Sequence, residues 1–123
     1  MPVKTILLVE DELAAAELLQ MLFEDSGYVL LTAGTVHEAE QLWKRCGAAI
    51  DLVITDLNLD GDRVAGFRLT EAWQHENPDL KVLYTSGFSR DCIPIGDRPG
   101  TVFLPKPYHP SVLLDNVAHL LWT

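Results

Sequence analysis

The chain has 123 residues, of which 48% are hydrophobic and 22% are charged, and this composition suits one compact domain. Its 9 basic and 18 acidic residues give a formal net charge of −9 at pH 7. Such a charge repels phosphate groups and argues against direct binding to nucleic acid or to an anionic membrane. The apolar runs are too short to span a bilayer, and the first residues carry no secretion signal.

These features predict a single cytoplasmic domain over residues 1–123. The alternative is a domain cut from a larger protein, and Met1 with a first strand close to it favours a natural start. Cys46 and Cys92 lack the spacing of a metal-binding or redox motif. We expect both to be free thiols, as is usual in a reducing compartment.

In chain order, an apolar run at 6–9 is followed by a helical pattern at 13–25 that Gly27 ends, and then by a second apolar run at 28–32. The pattern Thr35-x-x-Glu38 is a capping box and predicts the start of a second helix, which Gly47 ends. The apolar stripes are Ala15, Leu18, Leu19, Leu22 and Phe23 in the first helix and Ala39, Leu42, Trp43 and Cys46 in the second.

A third strand is predicted at 52–55, a third helix at 66–76, a fourth strand at 81–85 and a fifth at 102–104. Pro110 opens a last helix. Residues 89–100 are rich in proline and glycine and leave room for about one helical turn, so the fourth of five helices is expected to be short or irregular. The apolar residues of the third and last helices are Phe67, Leu69, Trp73, Leu113, Leu114, Val117, Leu120 and Leu121.

Five strands that alternate with helices predict an α/β fold, a doubly wound five-stranded parallel sheet with helices on both faces. Ligands of such sheets bind at the carboxyl ends of the strands. The side chains that follow the strands are therefore the candidate functional residues.

Three carboxylates, a hydroxyl and a lysine occupy these positions: Glu10 and Asp11, Asp56, Thr85, and Lys106. Carboxylate oxygens are the ligands that Mg²⁺ prefers, and a divalent cation (Mg²⁺ or Mn²⁺) removes the repulsion between crowded carboxylates. An ionised Asp56 can attack phosphorus, while Lys106 and the metal stabilise the developing charge. The residues thus predict a metal-dependent phosphoryl-transfer site.

The sequence resembles the receiver domains of the two-component response-regulator family along nearly its whole length. The resemblance is carried by four strand-end segments, residues 6–12 (ILLVEDE), 52–57 (LVITDL), 82–87 (VLYTSG) and 103–108 (FLPKPY). It implies the flavodoxin-like (βα)5 receiver fold. It also implies a signalling domain that assists its own phosphorylation and dephosphorylation and is not an enzyme in the usual sense.

By this resemblance Asp56 is the phosphoacceptor. Asp11 is a direct magnesium ligand, and Glu10 acts on the metal through water. The backbone carbonyl of Asn58 is a further ligand, and Lys106 pairs with the phosphoryl group.

The resemblance also assigns a conformational switch. Thr85 would hydrogen-bond the phosphoryl group, and the ring of Phe103 would turn inward in response. The Lys106–Pro107 peptide bond would be cis.

The expected partners are a histidine kinase or histidine phosphotransfer protein, which supplies the phosphoryl group, and a downstream protein that the sequence does not identify. The irregular stretch around Ser89 and the segment Tyr84 to Phe88 are similar to those of receivers attached to hybrid histidine kinases, and to stand-alone receivers of that type.

The loop after Asp56 departs from the family pattern. Most receivers carry Pro four residues and Gly eight residues after the acceptor, where this chain has Asp60 and Val64. Gly66 takes the place of the glycine after two extra residues. We therefore expect a longer and more acidic loop than is usual.

Other functions fit less of the chain. Residues 56–61 match the start of an EF-hand calcium loop, but position twelve of that loop would be Phe67 instead of the required Glu. A haloacid-dehalogenase-like phosphatase would need a second Asp where Asn58 stands. A pseudo-receiver that binds partners without phosphorylation keeps the same fold, and the set Asp11, Asp56, Thr85 and Lys106 argues against it.

Overall fold

The structure is a computed structural model that describes residues 3–87 and 99–122. Within these ranges it contains five strands, four α-helices and one short 3-10 turn, Gly47–Ala49. The strands are β1 (Thr5–Val9), β2 (Val29–Ala33), β3 (Leu52–Asp56), β4 (Lys81–Ser86) and β5 (Thr101–Pro105). The α-helices are α1 (Leu13–Phe23), α2 (Val36–Cys46), α3 (Ala65–Glu76) and α4 (Pro110–Trp122).

The strands form one parallel sheet in the order β2-β1-β3-β4-β5, so the predicted fold class is confirmed. The strand order changes direction between β1 and β3, which is the topological switch point where sheets of this class bind ligands. Leu8 lies opposite Ile54, and Asp56 lies opposite Thr85. This register brings the ends of β1, β3 and β4 to one edge of the sheet.

The two faces of the sheet carry separate cores, because successive side chains of a strand point to opposite faces. Leu7 and Val53 belong to the core that α2 and α3 cover, and Ile6 and Ile54 belong to the core that α1 and α4 cover. All four side chains are fully buried. This two-sided burial explains why the central strands are continuous apolar runs.

One predicted core position in α1 is wrong. The apolar stripe predicts that Leu18 faces the core, but Leu18 is 67% exposed, while Leu19 and Phe23 of the same helix are buried. The helix is apolar on nearly every side, so periodicity alone does not identify the side that faces the sheet. Exposed Met21 lies beside Leu18 in a groove on the outer surface of α1.

The packing of α2 against α3 depends on two tryptophans that the sequence assigned to the core. The rings of Trp43 and Trp73 stack with 4.7 Å between centroids, and the indole N–H of Trp43 donates to Glu76. At the start of α2, Thr35 Oγ1 accepts from the amide of Glu38 as predicted. The Glu38 carboxylate accepts from the amide of Gly34 (3.0 Å), one residue before the position that a capping box uses.

Three sequence predictions lie outside the described residues: the short helix at 89–93, the irregular stretch up to residue 98, and the free thiol of Cys92. Cys46 is a free, half-buried thiol. Among the described residues, the helices are all too short or too polar to cross a membrane.

Candidate functional site

The carboxyl ends of the central strands bring three acidic side chains together. Glu10 and Asp11 directly follow β1, and Asp56 is the last residue of β3. One carboxylate oxygen from each of the three lies within 4.8 Å of the other two. The sequence predicted this convergence from strand ends alone.

Both carboxylate oxygens of Asp56 have hydrogen-bond donors. Oδ2 accepts from Nζ of Lys106 at 2.7 Å, and Oδ1 accepts from the backbone N–H of Asn58 at 3.1 Å. The Asp56 side chain is 13% exposed, so it is oriented by its neighbours and still reaches solvent. The Asp56 carboxylate is therefore held in one orientation at the carboxyl end of β3, where a ligand can approach it from solvent.

Lys106 supplies the positive charge of the site. Its Nζ also lies 3.7 Å from Oε1 of Glu10. Burial alone would lower the pKa of Lys106, but the hydrogen bond and charge of Asp56, with the charge of Glu10, outweigh it and raise the pKa. The lysine is therefore cationic at neutral pH. Its backbone N–H donates to the carbonyl of Ser86 at 2.8 Å, and the Lys106–Pro107 peptide bond is cis.

Glu10 is the most buried of the acidic groups, with 5% of its side chain exposed. Burial raises the pKa of Glu10, and the nearby charges of Asp56 and Asp11 add to this, while Lys106 and the amide of Glu12 oppose it. Three clustered carboxylates offer an all-oxygen ligand set, and a divalent cation would relieve their mutual repulsion. The residues present therefore fit Mg²⁺ or Mn²⁺.

The remaining predicted site residues surround this cluster. Thr85 is 4% exposed and lies opposite Asp56 in the sheet register. Phe103 lies opposite Tyr84 on β5, and its half-buried ring packs against the core beneath α2 and α3. The backbone N–H of Asn58 holds Asp56, and the side-chain Oδ1 of Asn58 is buried without a hydrogen-bond partner among the described residues.

Sequence reasoning gave no site role to Asp60, yet its backbone N–H donates to Oδ2 of Asp11 at 3.1 Å. The signal that could have found it is the dipeptide Asp60-Gly61, which favours a tight turn with two positive φ angles. Tyr108 was also missed. Burial raises the pKa of Tyr108 and outweighs the opposing charge of Lys106, and the charges of Glu10 and Asp56 raise it further, so the hydroxyl stays protonated.

Known proteins resemble this chain in sequence and in fold. A family model described as response regulator receiver domain matches residues 6–118. The sensor kinase CckA of Brucella abortus (strain 2308) is 29% identical over 95% of this chain, which spans only 12% of the length of that kinase.

Two solved receiver structures resemble the chain along nearly all of its length. The non-phosphorylated HemR receiver domain of Leptospira biflexa is 32% identical with a TM-score of 0.82, covering 98% of this chain and 95% of that one. The receiver domain of the hybrid histidine kinase CckA is 29% identical with a TM-score of 0.79, covering 95% and 98% respectively. With the family model matched over most of its residues, the chain belongs to the response-regulator receiver domains of two-component phosphorelay signalling.

Proposed function

We propose that residues 1–123 form one receiver domain in which Asp56 accepts a phosphoryl group from a histidine kinase or histidine phosphotransfer protein. The observation that carries this proposal is the setting of the Asp56 carboxylate. It lies between the Lys106 ammonium group (2.7 Å) and the amide of Asn58 (3.1 Å), close to the carboxylates of Glu10 and Asp11, and still reaches solvent.

In the proposed reaction, a carboxylate oxygen of Asp56 attacks the phosphorus of a phosphohistidine. An O–P bond forms, the P–N bond breaks, and the imidazole nitrogen keeps the electron pair of the broken bond. Lys106 already contacts Asp56 and is positioned to stabilise negative charge on the transferred group. The chain thus supplies the nucleophile and one fixed positive charge.

Asp11 and Asp56 are the side chains that would hold Mg²⁺ or Mn²⁺ directly, with Glu10 acting through water, and the backbone carbonyl of Asn58 is a further proposed ligand. When bound, the cation would neutralise negative charge on the oxygens of the phosphoryl group.

Thr85 and Phe103 form the proposed switch. Thr85 lies opposite Asp56 in the register of β3 and β4, and its hydroxyl is the group that we propose to bond a phosphoryl group on Asp56. Phe103 lies on the neighbouring strand against Tyr84, where a shift of β4 alters its packing. The altered surface would be read by a downstream protein, and phosphorylation would shift the population of two conformations.

The phosphodonor protein has a candidate docking surface beside the acceptor. A groove of about 860 Å³ lies between α1 and the segment after β5, and its lining includes Leu18, Met21, Pro107 and Tyr108. Lys106 lies at its edge and contacts Asp56, so a partner in the groove sits next to the acceptor. We assign the groove to the apolar face of an amphipathic helix of the phosphodonor, because apolar grooves recognise such helices.

We place this activity in the cytoplasm, since the free thiol of Cys46 suits a reducing compartment. The test is incubation of the purified chain with a small phosphodonor, with and without MgCl₂, followed by intact mass measurement. The wild-type chain should gain one phosphoryl group only with Mg²⁺, and Asp56→Asn should gain none.

Other results would point elsewhere. An unchanged mass for the wild-type chain would favour the pseudo-receiver that binds without phosphorylation. Sustained release of phosphate from a phosphomonoester would favour a phosphatase. Either result would overturn the proposed function.

A further inference from the structure

The loop between β3 and α3 contains a tight turn at residues 59–62. The backbones of Leu59 and Asp62 exchange two hydrogen bonds of 3.0 Å. The two residues between them have positive φ angles, 56° for Asp60 and 81° for Gly61. Two successive positive φ angles define the mirror-image turn that the dipeptide Asp-Gly favours.

The turn has a fixed position because Asp62 anchors one side of it to α3. Its carboxylate accepts from the amide of Val64 at 3.0 Å and forms an ion pair with Arg68. The opposite side of the turn, at Asp60, points toward the acidic cluster.

Asp60 makes two contacts with other elements. Its backbone N–H donates to Oδ2 of Asp11 at 3.1 Å, and its carboxylate Oδ2 accepts from the amide of Val36 at 3.4 Å. Val36 is the first residue of α2, where backbone amides lack partners within the helix. Asp60 therefore connects the metal-binding carboxylate of Asp11 with the start of α2.

We propose that Asp60 is a positioning residue for Asp11. A hydrogen bond to Oδ2 fixes the plane of the Asp11 carboxylate, so that an oxygen stays directed at Glu10 and Asp56 before a cation arrives. Groups that orient metal ligands raise metal affinity because they reduce the freedom that binding must remove. A proline at this position, as most receivers have, could not donate this bond.

This inference rests on the proposed magnesium site. It differs from that proposal because it assigns a role to a residue outside the ligand set. It also predicts that cation binding changes the environment of the Val36 amide at the start of α2, since Asp60 contacts both Asp11 and Val36.

The experiment is a titration of the ¹⁵N-labelled chain with MgCl₂, followed by amide chemical shifts and by calorimetry. Three variants are compared with wild type: Asp60→Ala, Asp60→Asn and Asp79→Ala. Asn tolerates a positive φ and keeps a side-chain acceptor for Val36, whereas Ala does neither. Asp79 is exposed in the turn before β4 and serves as the matched control for loss of one negative charge.

In wild type, Mg²⁺ should move the amide signals of both Asp60 and Val36. Asp60→Ala should bind Mg²⁺ about tenfold more weakly and lose the Val36 response. Asp60→Asn and Asp79→Ala should stay within about twofold of wild-type affinity, which is less than the typical effect of losing a ligand-orienting group.

Wild-type Mg²⁺ affinity in Asp60→Ala would overturn the inference. A loss of Mg²⁺ affinity in Asp60→Asn equal to that in Asp60→Ala would also overturn it, because it would show that only the charge of residue 60 matters. If Asp60→Ala does not fold, Asp60→Gly keeps the positive φ without the Val36 contact, and it must also lose the Val36 response. Failure of the wild-type chain to bind Mg²⁺ would overturn the proposed function as well. If the wild-type chain binds Mg²⁺ and is phosphorylated but the amide signal of Asp60 does not shift on Mg²⁺ addition, this inference alone is overturned.

Discussion

Gly66 lies directly against the main-chain carbonyl of Asp56. A Cβ atom at position 66 would be 2.2 Å from that carbonyl oxygen and 3.1 Å from Cα of Leu57. The amide of Gly66 donates to the carbonyl of Leu57 at 3.0 Å, so the first turn of α3 closes onto the end of β3. This contact explains why a glycine is needed here although the loop before it has two extra residues.

Gly66→Ala is expected to destabilise the fold by about 1–3 kcal/mol, since an added methyl group must displace backbone. It should also slow phosphorylation, because the backbone that must move carries Asp56. Chemical denaturation and phosphorylation from a small phosphodonor measure the two effects. Gly34→Ala is the matched control, because its Cβ would meet its nearest atoms at 3.9 Å or more. Equal stability of the two variants would contradict the predicted clash.

Leu18→Lys should reduce phosphotransfer from a cognate kinase or phosphotransfer protein by about tenfold or more, because central apolar contacts dominate protein interfaces. It should leave phosphorylation by a small phosphodonor unchanged, since Leu18 lies on the outer surface of α1 and 67% of it is exposed. The measurement is the initial transfer rate from each kind of donor.

The control is Val112→Lys, which places the same charge on α4 at a residue that is 42% exposed and does not line the groove. Transfer from the protein donor should stay at the wild-type rate in this variant. An equal loss in the two variants would remove the groove beside α1 from the docking surface.

Glu10→Gln should stabilise the metal-free domain at neutral pH. The raised pKa of Glu10 means that folding favours its protonated form, so stability falls as pH rises from the ordinary value of 4.5 through the folded-state pKa. Gln removes this dependence, and the difference between the proteins should vanish below about pH 4, where the glutamate is protonated in both states. Denaturation curves at several pH values without Mg²⁺ test this. A variant less stable than wild type at neutral pH would contradict it.

The same substitution should weaken Mg²⁺ binding. Glu10 contributes one of the three carboxylates of the cluster, and loss of its charge leaves a weaker site for a divalent cation. Calorimetric titration with MgCl₂ gives the affinity. The variant would then be more stable without the metal and gain less from its addition.

The sheet and the acidic cluster could be predicted from the sequence because both follow from local patterns. Apolar runs at 6–9 and 52–55 mark central strands, and parallel strands must bring the residues after them, such as Asp11 and Asp56, to one edge. The order of apolar runs and acidic residues along the chain is therefore enough to predict that these carboxylates converge.

Contacts that depend on which surfaces meet could not be predicted in this way. The outward side of α1 was not identifiable, because apolar side chains such as Leu18 and Leu19 surround that helix. The bond from Asp60 to Asp11 joins residues that are 49 positions apart and requires the exact path of the turn at Gly61. Sequence patterns mark the turn, but not the group toward which it points.

The most direct test of the central claim is identification of the residue that carries the phosphoryl group. After phosphorylation in the presence of Mg²⁺, borohydride reduction converts an aspartyl phosphate to homoserine, and peptide mass spectrometry locates it. We predict homoserine at position 56 and at no other aspartate. Homoserine at another residue such as Asp11, or none in a chain that has gained phosphate, would contradict the assignment of Asp56 as the phosphoacceptor.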